Sequence, residues 1–356
     1  MDTSHIQTSK LLRFEDAAAG HDGVLTDESG SIVVKPCTVA ELAFYEETNA
    51  RHPDFVPLIP TFMGTLQLGK SDQLQTAIDA AQSSTPMSAI VLPTDEVVTN
   101  TSNNSTPDAV PLRGKRIATD LAVVLENIAY GFVKPNILDV KLGARLWDDD
   151  APDAKRQRLE KVARSTTSAS LGFRIAGMKT FNGHSYKIFD KLYGRSLSQE
   201  TVKQAFDELF DNASNDPDAA SLSQVLPGAI EAVEDIEHTI SHQESRMYSS
   251  SLLFVYEGDR NARKIALEAL KQSQGVGDVD DFATDKAFAA QNTGQPIDIA
   301  KNDDDDEDMD EPELPKLFDV RVIDFAHATW TPGAGPDENM LHGIRSIIDI
   351  MKQMAS

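Results

Sequence analysis

The segment Pro135-Asn136-Ile137-Leu138-Asp139-Val140-Lys141-Leu142-Gly143 sets a carboxylate and an ammonium into a run of strand formers. On a strand, Asp139 and Lys141 project from the same face. Burying such a pair is costly unless it serves a task. A strand end carrying a surface ion pair fits the spacing equally well. Gly143 lets the backbone turn or approach another group closely. A second segment, Val322-Ile323-Asp324-Phe325-Ala326-His327, ends an apolar run on a carboxylate. A third, Ser31 to Pro36, ends a strand on Lys35, which could be a common surface lysine. The helix expected over 40–47 follows it and carries Glu41, which would complement the helix dipole even without a partner. Finally Lys155, Arg156, Arg158, Lys161 and Arg164 crowd one helical segment, 154–165, in a chain whose net charge is -24. Arginine forks and lysine charges at that density suit the phosphates of a polyanion. The competing reading is a solvated helix face.

In combination these segments are more specific. Pro135–Gly143, then Ser249-Ser250-Ser251-Leu252-Leu253-Phe254-Val255-Tyr256-Glu257-Gly258, then Val322–His327 resemble the signature of the inositol polyphosphate kinase family, in its order. Gly172-Phe173, Gly177-Met178 and Lys179 fit a further motif of that family. The likeness is strongest to its fungal multikinases, and the short stretch between Gly143 and Gly172 resembles both the multikinases and the hexakisphosphate kinases of the family. The resemblance implies an α/β (α+β) fold of two lobes, protein-kinase-like, with a short helical inositol-phosphate-binding arm. It implies ATP and Mg2+ between the lobes. Lys35 would hold nucleotide phosphates and Glu41 would orient Lys35. The backbone at Glu126 and Ile128 would meet adenine, Asp139 the ribose, and Asp324 the metal ion. Lys141 would lie between the transferred phosphate and the inositol hydroxyl. Arg158, Lys161, Arg164 and Lys179 would clamp substrate phosphates. His327 would touch a substrate phosphate or pack under the metal loop, and Ser250 and Ser251 would support the site or simply sit in the core.

The elements that must position these groups are legible in outline. Residues 1–125 are expected to form an N-terminal lobe of antiparallel sheet plus one helix, interrupted at about 69–115 by a polar, flexible loop. The apolar run from Ile117 to Ile128 reads as a buried strand leading into a hinge. Residues 126–356 would form the larger lobe, with the arm at about 148–170 and a disordered acidic loop at about 273–315. Asp153 is expected to cap the arm helix. Ser196 with Gln199 is expected to open the next one, and Pro227 to start another. Residues 258–272 read as a basic, partly helical connector, and Asp337 as the start of a last helix.

A composition 40% hydrophobic and 25% charged fits a globular protein with ample core. No membrane span and no secretory signal are read. The single cysteine, Cys37, excludes an intrachain disulfide and suits a reducing compartment, so nucleus and cytoplasm are expected. The acidic surface argues against direct nucleic-acid binding. The function expected is ATP-dependent phosphorylation of inositol trisphosphate, stepwise, to tetrakis- and pentakisphosphate. The alternatives are an inositol hexakisphosphate kinase and a non-catalytic transcriptional co-regulator. The last would use the acidic run from Asp303 to Glu311 to contact transcription-factor proteins.

Overall fold

The computed structural model describes residues 11–14, 23–67, 119–210, 222–275 and 316–355. Two five-stranded antiparallel sheets dominate. The first is built from β1 (Leu12–Arg13), β2 (Leu25–Thr26), β3 (Ile32–Pro36), β4 (Phe62–Gln67) and β5 (Leu121–Glu126), in the order β1-β2-β3-β5-β4. Helix α1 (Val39–Arg51) follows β3. β5 shows the period of two. Val123 and Leu125 enter the main core, while Ala122 and Val124 pack on the other face with Leu11, Leu25 and Val34.

The second sheet runs β11-β10-β6-β7-β8, from β6 (Pro135–Leu142), β7 (Phe173–Phe181), β8 (Tyr186–Phe189), β10 (Ser251–Glu257) and β11 (Phe318–Ile323). A two-stranded ribbon pairs β9 (Ser245–Met247) with β12 (Ala328–Trp330). The helices after α1 are α2 (Asp153–Arg164), α3 (Ser168–Leu171), α4 (Lys191–Ser196), α5 (Lys203–Leu209), α6 (Leu222–Ser241), α7 (Arg260–Gly275) and α8 (Glu338–Ala355). Leu138, Val140 and Leu142 on β6 enter the main core with Leu252 and Phe254 of β10 and Ile344 of α8. Ile137, Asp139 and Lys141 therefore share the opposite face, as the spacing requires. There Ile137 packs with Val255 and with Ile128, Ala129 and Phe132 from the chain joining the sheets. A bulge in the β6–β7 pairing passes from Asp139↔Gly177 to Val140↔Ile175.

Several local expectations are corrected. The buried face of α1 is Glu41, Phe44, Tyr45 and Thr48. The N-cap of α2 is Pro152 without a side-chain bond, and Asp153 lies in the first turn. Ser196 ends α4 rather than opening a helix, its hydroxyl donating to the Tyr193 carbonyl at 2.7 Å. Pro227 lies inside α6, not at its start. Of residues 258–272, those from Arg260 on belong to α7, a full helix with Asp259 Oδ1 accepting from the Asn261 and Ala262 amides at 3.0 Å each. Asp337 does cap α8, its Oδ1 accepting from the Met340 amide at 3.0 Å. The 69–115 loop and the acidic tract, 276–315 of the expected 273–315, lie outside the described residues. Among the described residues no helix is long and apolar enough to cross a membrane.

Candidate active site

Lys35, Asp324 and Lys141 form a continuous chain of charges between the two sheets. Lys35 Nζ lies 2.7 Å from Asp324 Oδ1 and 2.9 Å from Glu41 Oε1, and Lys141 Nζ lies 3.4 Å from Asp324 Oδ2. Lys35 reaches this point because β3 alternates: Val34 faces the outer apolar cluster, so Lys35 faces inward beside Cys37. Thr38 caps α1 by accepting from the Glu41 amide at 3.1 Å, which fixes Glu41 in the first turn against Lys35. The Glu41 side chain is 0% exposed, and its Oε2 has no hydrogen-bond partner among the described residues.

Asp324 directly follows β11 and adopts a left-handed backbone, with φ at +69°. Ser249, just before β10, does the same at +60°, and these are the two non-glycine residues with positive φ among those described. Strain of this kind persists where surrounding bonds over-determine it. Here the Ser250 hydroxyl donates to the Asp324 carbonyl at 2.9 Å, and Lys141 Nζ donates to the Ser249 carbonyl at 2.7 Å. The register Ser251↔Lys141 between β10 and β6 brings these groups side by side. Phe325 anchors the strand end from behind, stacking on Phe44 of α1 with centroids 4.7 Å apart. Gly143 serves the same corner. Its φ is +92°, and a Cβ there would stand 2.5 Å from Asn339 Nδ2 of α8. Asn339 in turn bonds both the amide and the carbonyl of Arg145, at 2.8 and 3.0 Å.

The electrostatics follow from this packing. Burial works against the Lys35 charge, but the Asp324 and Glu41 carboxylates outweigh it and hold the ammonium well above the ordinary lysine range. Burial, with Glu41 adding, pushes the Cys37 thiol up to about 11. Arg174 of β7 is pulled down to about 10 by burial and by Arg195, against the opposing pull of Asp139. Two ammoniums are thus balanced by two carboxylates. A polyphosphate with a bound cation could exchange with that set, phosphate oxygens for the lysines and cation for Asp324. No cluster of three or more His, Cys, Asp or Glu side chains able to hold a metal occurs among the described residues. One carboxylate suffices for Mg2+ when phosphates and waters complete its octahedron, so the donor set fits a nucleotide-bound metal.

The other expected residues are distributed as follows. Asp139 is buried on the Lys141 face of β6, close enough to Arg174 to raise its proton affinity. The Glu126 carboxylate is occupied by Thr61, whose amide and hydroxyl donate to it at 3.3 and 2.8 Å, so recognition there would fall to the backbone. Ile128 is buried in the small apolar cluster between the sheets. Arg158, Lys161 and Arg164 are exposed on α2. Lys161 and Arg164 line an open groove with Gln157, Glu160 and Ser165, and Arg164 pairs with Glu160 at 3.5 Å. Lys179 is buried, its Nζ 4.1 Å from the Tyr186 ring centre, at the β7–β8 side of the sheet. His327 lies beyond Asp324, with Nδ1 2.6 Å from Asp148 Oδ2 and Nε2 3.4 Å from Lys155 Nζ.

Asp148 and the main-chain role of Ser249 escaped the sequence reading. The hydroxyl-rich run before an apolar strand signals Ser249. Nothing local signals Asp148, whose partner is 179 positions away in the sequence.

Comparison with known proteins agrees with this arrangement. A family model described as inositol polyphosphate kinase matches residues 122–352. The inositol polyphosphate multikinase of Saccharomyces cerevisiae is 35% identical over 94% of this chain and 96% of its own length. That of Schizosaccharomyces pombe is 32% identical over 70% of this chain and 80% of its own. The inositol hexakisphosphate kinase 1 of Rattus norvegicus is 31% identical over 65% of this chain and 51% of its own. The crystal structure of the S. cerevisiae inositol phosphate multikinase in complex with ADP and Mn2+ superposes with a TM-score of 0.57 at 28% identity, covering 92% of this chain and all of that one. The fold is therefore the mixed α/β, kinase-like fold. With the family model spanning most of the chain and a relative aligned along nearly all of it, this protein belongs to the inositol polyphosphate kinase family.

Proposed function

We propose that this chain is an ATP- and Mg2+-dependent inositol polyphosphate multikinase that converts inositol trisphosphate stepwise to the tetrakis- and pentakisphosphate. The observation that carries the reading is the Lys35–Asp324–Lys141 chain, which sets two ammoniums within 3.4 Å of one carboxylate between the two sheets. Lys35, oriented by Glu41, takes the nucleotide phosphates. Asp139 meets the ribose, and the backbone at Glu126 and Ile128 meets the adenine. Asp324 holds Mg2+, which when bound neutralises charge on the phosphates. Lys141 stands between the transferred phosphoryl group and the attacking hydroxyl. Arg158, Lys161, Arg164 and Lys179 take the phosphates of the inositol substrate, and His327 faces the same substrate. Transfer through a loose transition state needs positioning and charge neutralisation above all.

The likeness to inositol hexakisphosphate kinase 1 supports a second reading, formation of pyrophosphates from the hexakisphosphate. A single assay separates the two: purified protein with Mg-ATP and either inositol trisphosphate or hexakisphosphate, the products resolved by anion-exchange chromatography. Successive appearance of tetrakis- and pentakisphosphate supports the multikinase. Turnover of the hexakisphosphate alone replaces it by the second reading. A nuclear and cytoplasmic location, and contact of the acidic tract with transcription-factor proteins, form part of the proposal. They are supported by the single cysteine and by the run of carboxylates from Asp303 to Glu311. Retention of a tagged protein in the cytoplasm alone would remove that part.

A further inference from the structure

In the central cluster Lys35 engages Glu41 Oε1 and Asp324, and Lys141 engages Asp324. A second cluster offers an acceptor for the proton that an attacking hydroxyl must lose. Asp148, in the turn after β6, and Lys155, on α2, approach the two ring nitrogens of His327 from opposite sides, at 2.6 Å to Nδ1 and 3.4 Å to Nε2. The Asp148 carboxylate can only accept, so Nδ1 carries the hydrogen. The Lys155 ammonium can only donate, so Nε2 presents its lone pair. Both neighbours specify the same neutral tautomer.

The backbone on either side of this contact is held. Arg156 Nε donates to the Ala151 carbonyl at 2.6 Å and its second nitrogen to the Asp149 carbonyl; Arg156 and Arg145 both stack on Trp147. On the other side the Tyr248 amide donates to the His327 carbonyl at 3.2 Å, and the Ala328 amide to the Phe325 carbonyl at 3.1 Å. The ring remains 39% exposed, open to a ligand. The charged groups set against it are Asp148 and Lys155; Asp324, three residues earlier, is engaged by Lys35 and Lys141.

We propose that Asp148 is a positioning residue that fixes His327 with Nε2 turned toward the substrate arm, and that Nε2 accepts the proton of the attacking inositol hydroxyl once a substrate phosphate has drawn Lys155 away. The inference rests on the proposed kinase function. In the step, the hydroxyl O–H bond breaks and its proton goes to Nε2. The oxygen forms a bond to the terminal phosphorus of ATP, and the bridging P–O bond breaks to leave ADP. The imidazolium then returns its proton to solvent.

The test is the pH dependence of kcat for wild type, Asp148→Asn and His327→Gln with Mg-ATP and saturating inositol trisphosphate. Expected are a fall of kcat on the acid side in wild type and its disappearance in His327→Gln. Expected too is a loss in kcat of about tenfold or more in both variants with the KM for ATP unchanged. A raised KM for the inositol substrate with kcat and pH profile unmoved would show phosphate binding alone and overturn the proposal. If Asp148→Asn does not fold, an acid limb retained in His327→Gln overturns it equally. Wild-type protein that turns over no inositol polyphosphate would fail the kinase reading itself, a separate result.

Discussion

Replacing Glu41 by Gln isolates the orientation of Lys35 from its presence. Lys35 has two carboxylate partners, Glu41 at 2.9 Å and Asp324 at 2.7 Å. When nucleotide and metal engage Asp324, Glu41 is the partner that remains to aim the ammonium. Glutamine keeps the size and one acceptor but removes the charge. A hydrogen bond to a charged group contributes about 1.5–3 kcal/mol and a neutral one about 0.5–1.5, so the loss is about 1–2 kcal/mol. That converts to a fall of roughly 5- to 30-fold in kcat/KM for ATP. Stability should change less, because Asp324 still pairs Lys35 and a buried charge is removed. The assay is initial-rate kinetics at saturating inositol trisphosphate, with a melting curve as control. A Lys35→Met, Glu41→Gln double variant should be no worse than Lys35→Met alone, since Glu41 acts through Lys35. Activity of Glu41→Gln within twofold of wild type, or additive losses in the double variant, would refute this coupling.

Three further outcomes follow from the same geometry. Ser250→Ala leaves the Asp324 carbonyl without its 2.9 Å donor at a strained residue, and should cost about 1–3 kcal/mol in chemical denaturation while lowering kcat. Gly143→Ala must place a Cβ 2.5 Å from Asn339 Nδ2 at a φ of +92°, and should lower the melting temperature; Asn339→Ala, which loses two bonds to Arg145, should cost less in that background than in wild type because it relieves the clash. The Glu244 carboxylate accepts from the Gly333 and Gly335 amides at 2.7 and 3.1 Å, which hold it below the ordinary value of 4.5. For an acid so depressed, the stabilisation is present above about pH 4.5 and is lost as pH falls through the folded-state value. Melting curves of Glu244→Gln should therefore show a shallower decline in acid than wild type.

Much of the sheet architecture is legible because strands report their own faces. The period of two places Asp139 and Lys141 on one face of Pro135–Leu142, and the apolar run at Leu121–Glu126 reads as a buried strand; the structure follows both. What failed was local punctuation. Ser196 and Gln199 have capping-box spacing, but the chain bends between α4 and α5, with the Ser198 amide donating to Thr201 Oγ1 at 2.9 Å. Helix α7 is hard to read in the sequence because its buried side is Ala262, Arg263, Ala266 and Leu267, two alanines and a charged residue with only one large apolar side chain. At the site, the residue types at 35, 41, 139, 141 and 324 are visible in sequence, but their juxtaposition is tertiary. Nothing local indicates that Asp324 takes a left-handed backbone, or that Asp148 meets His327 across the fold. The exposure of Arg158, Lys161 and Arg164 does fit a basic helix face, and which of them meets substrate depends on contacts that no helical periodicity encodes.

The most direct measurement is the turnover number of Asp324→Asn for inositol trisphosphate with Mg-ATP, made alongside its circular dichroism and melting curve. Asparagine tolerates the left-handed backbone and keeps the size, so the fold should survive while the carboxylate between Lys35 and Lys141 is lost. The expected result is a folded protein with kcat reduced on the order of a thousandfold. A folded Asp324→Asn that phosphorylates the trisphosphate at close to the wild-type rate would contradict the placing of phosphoryl transfer at this cluster.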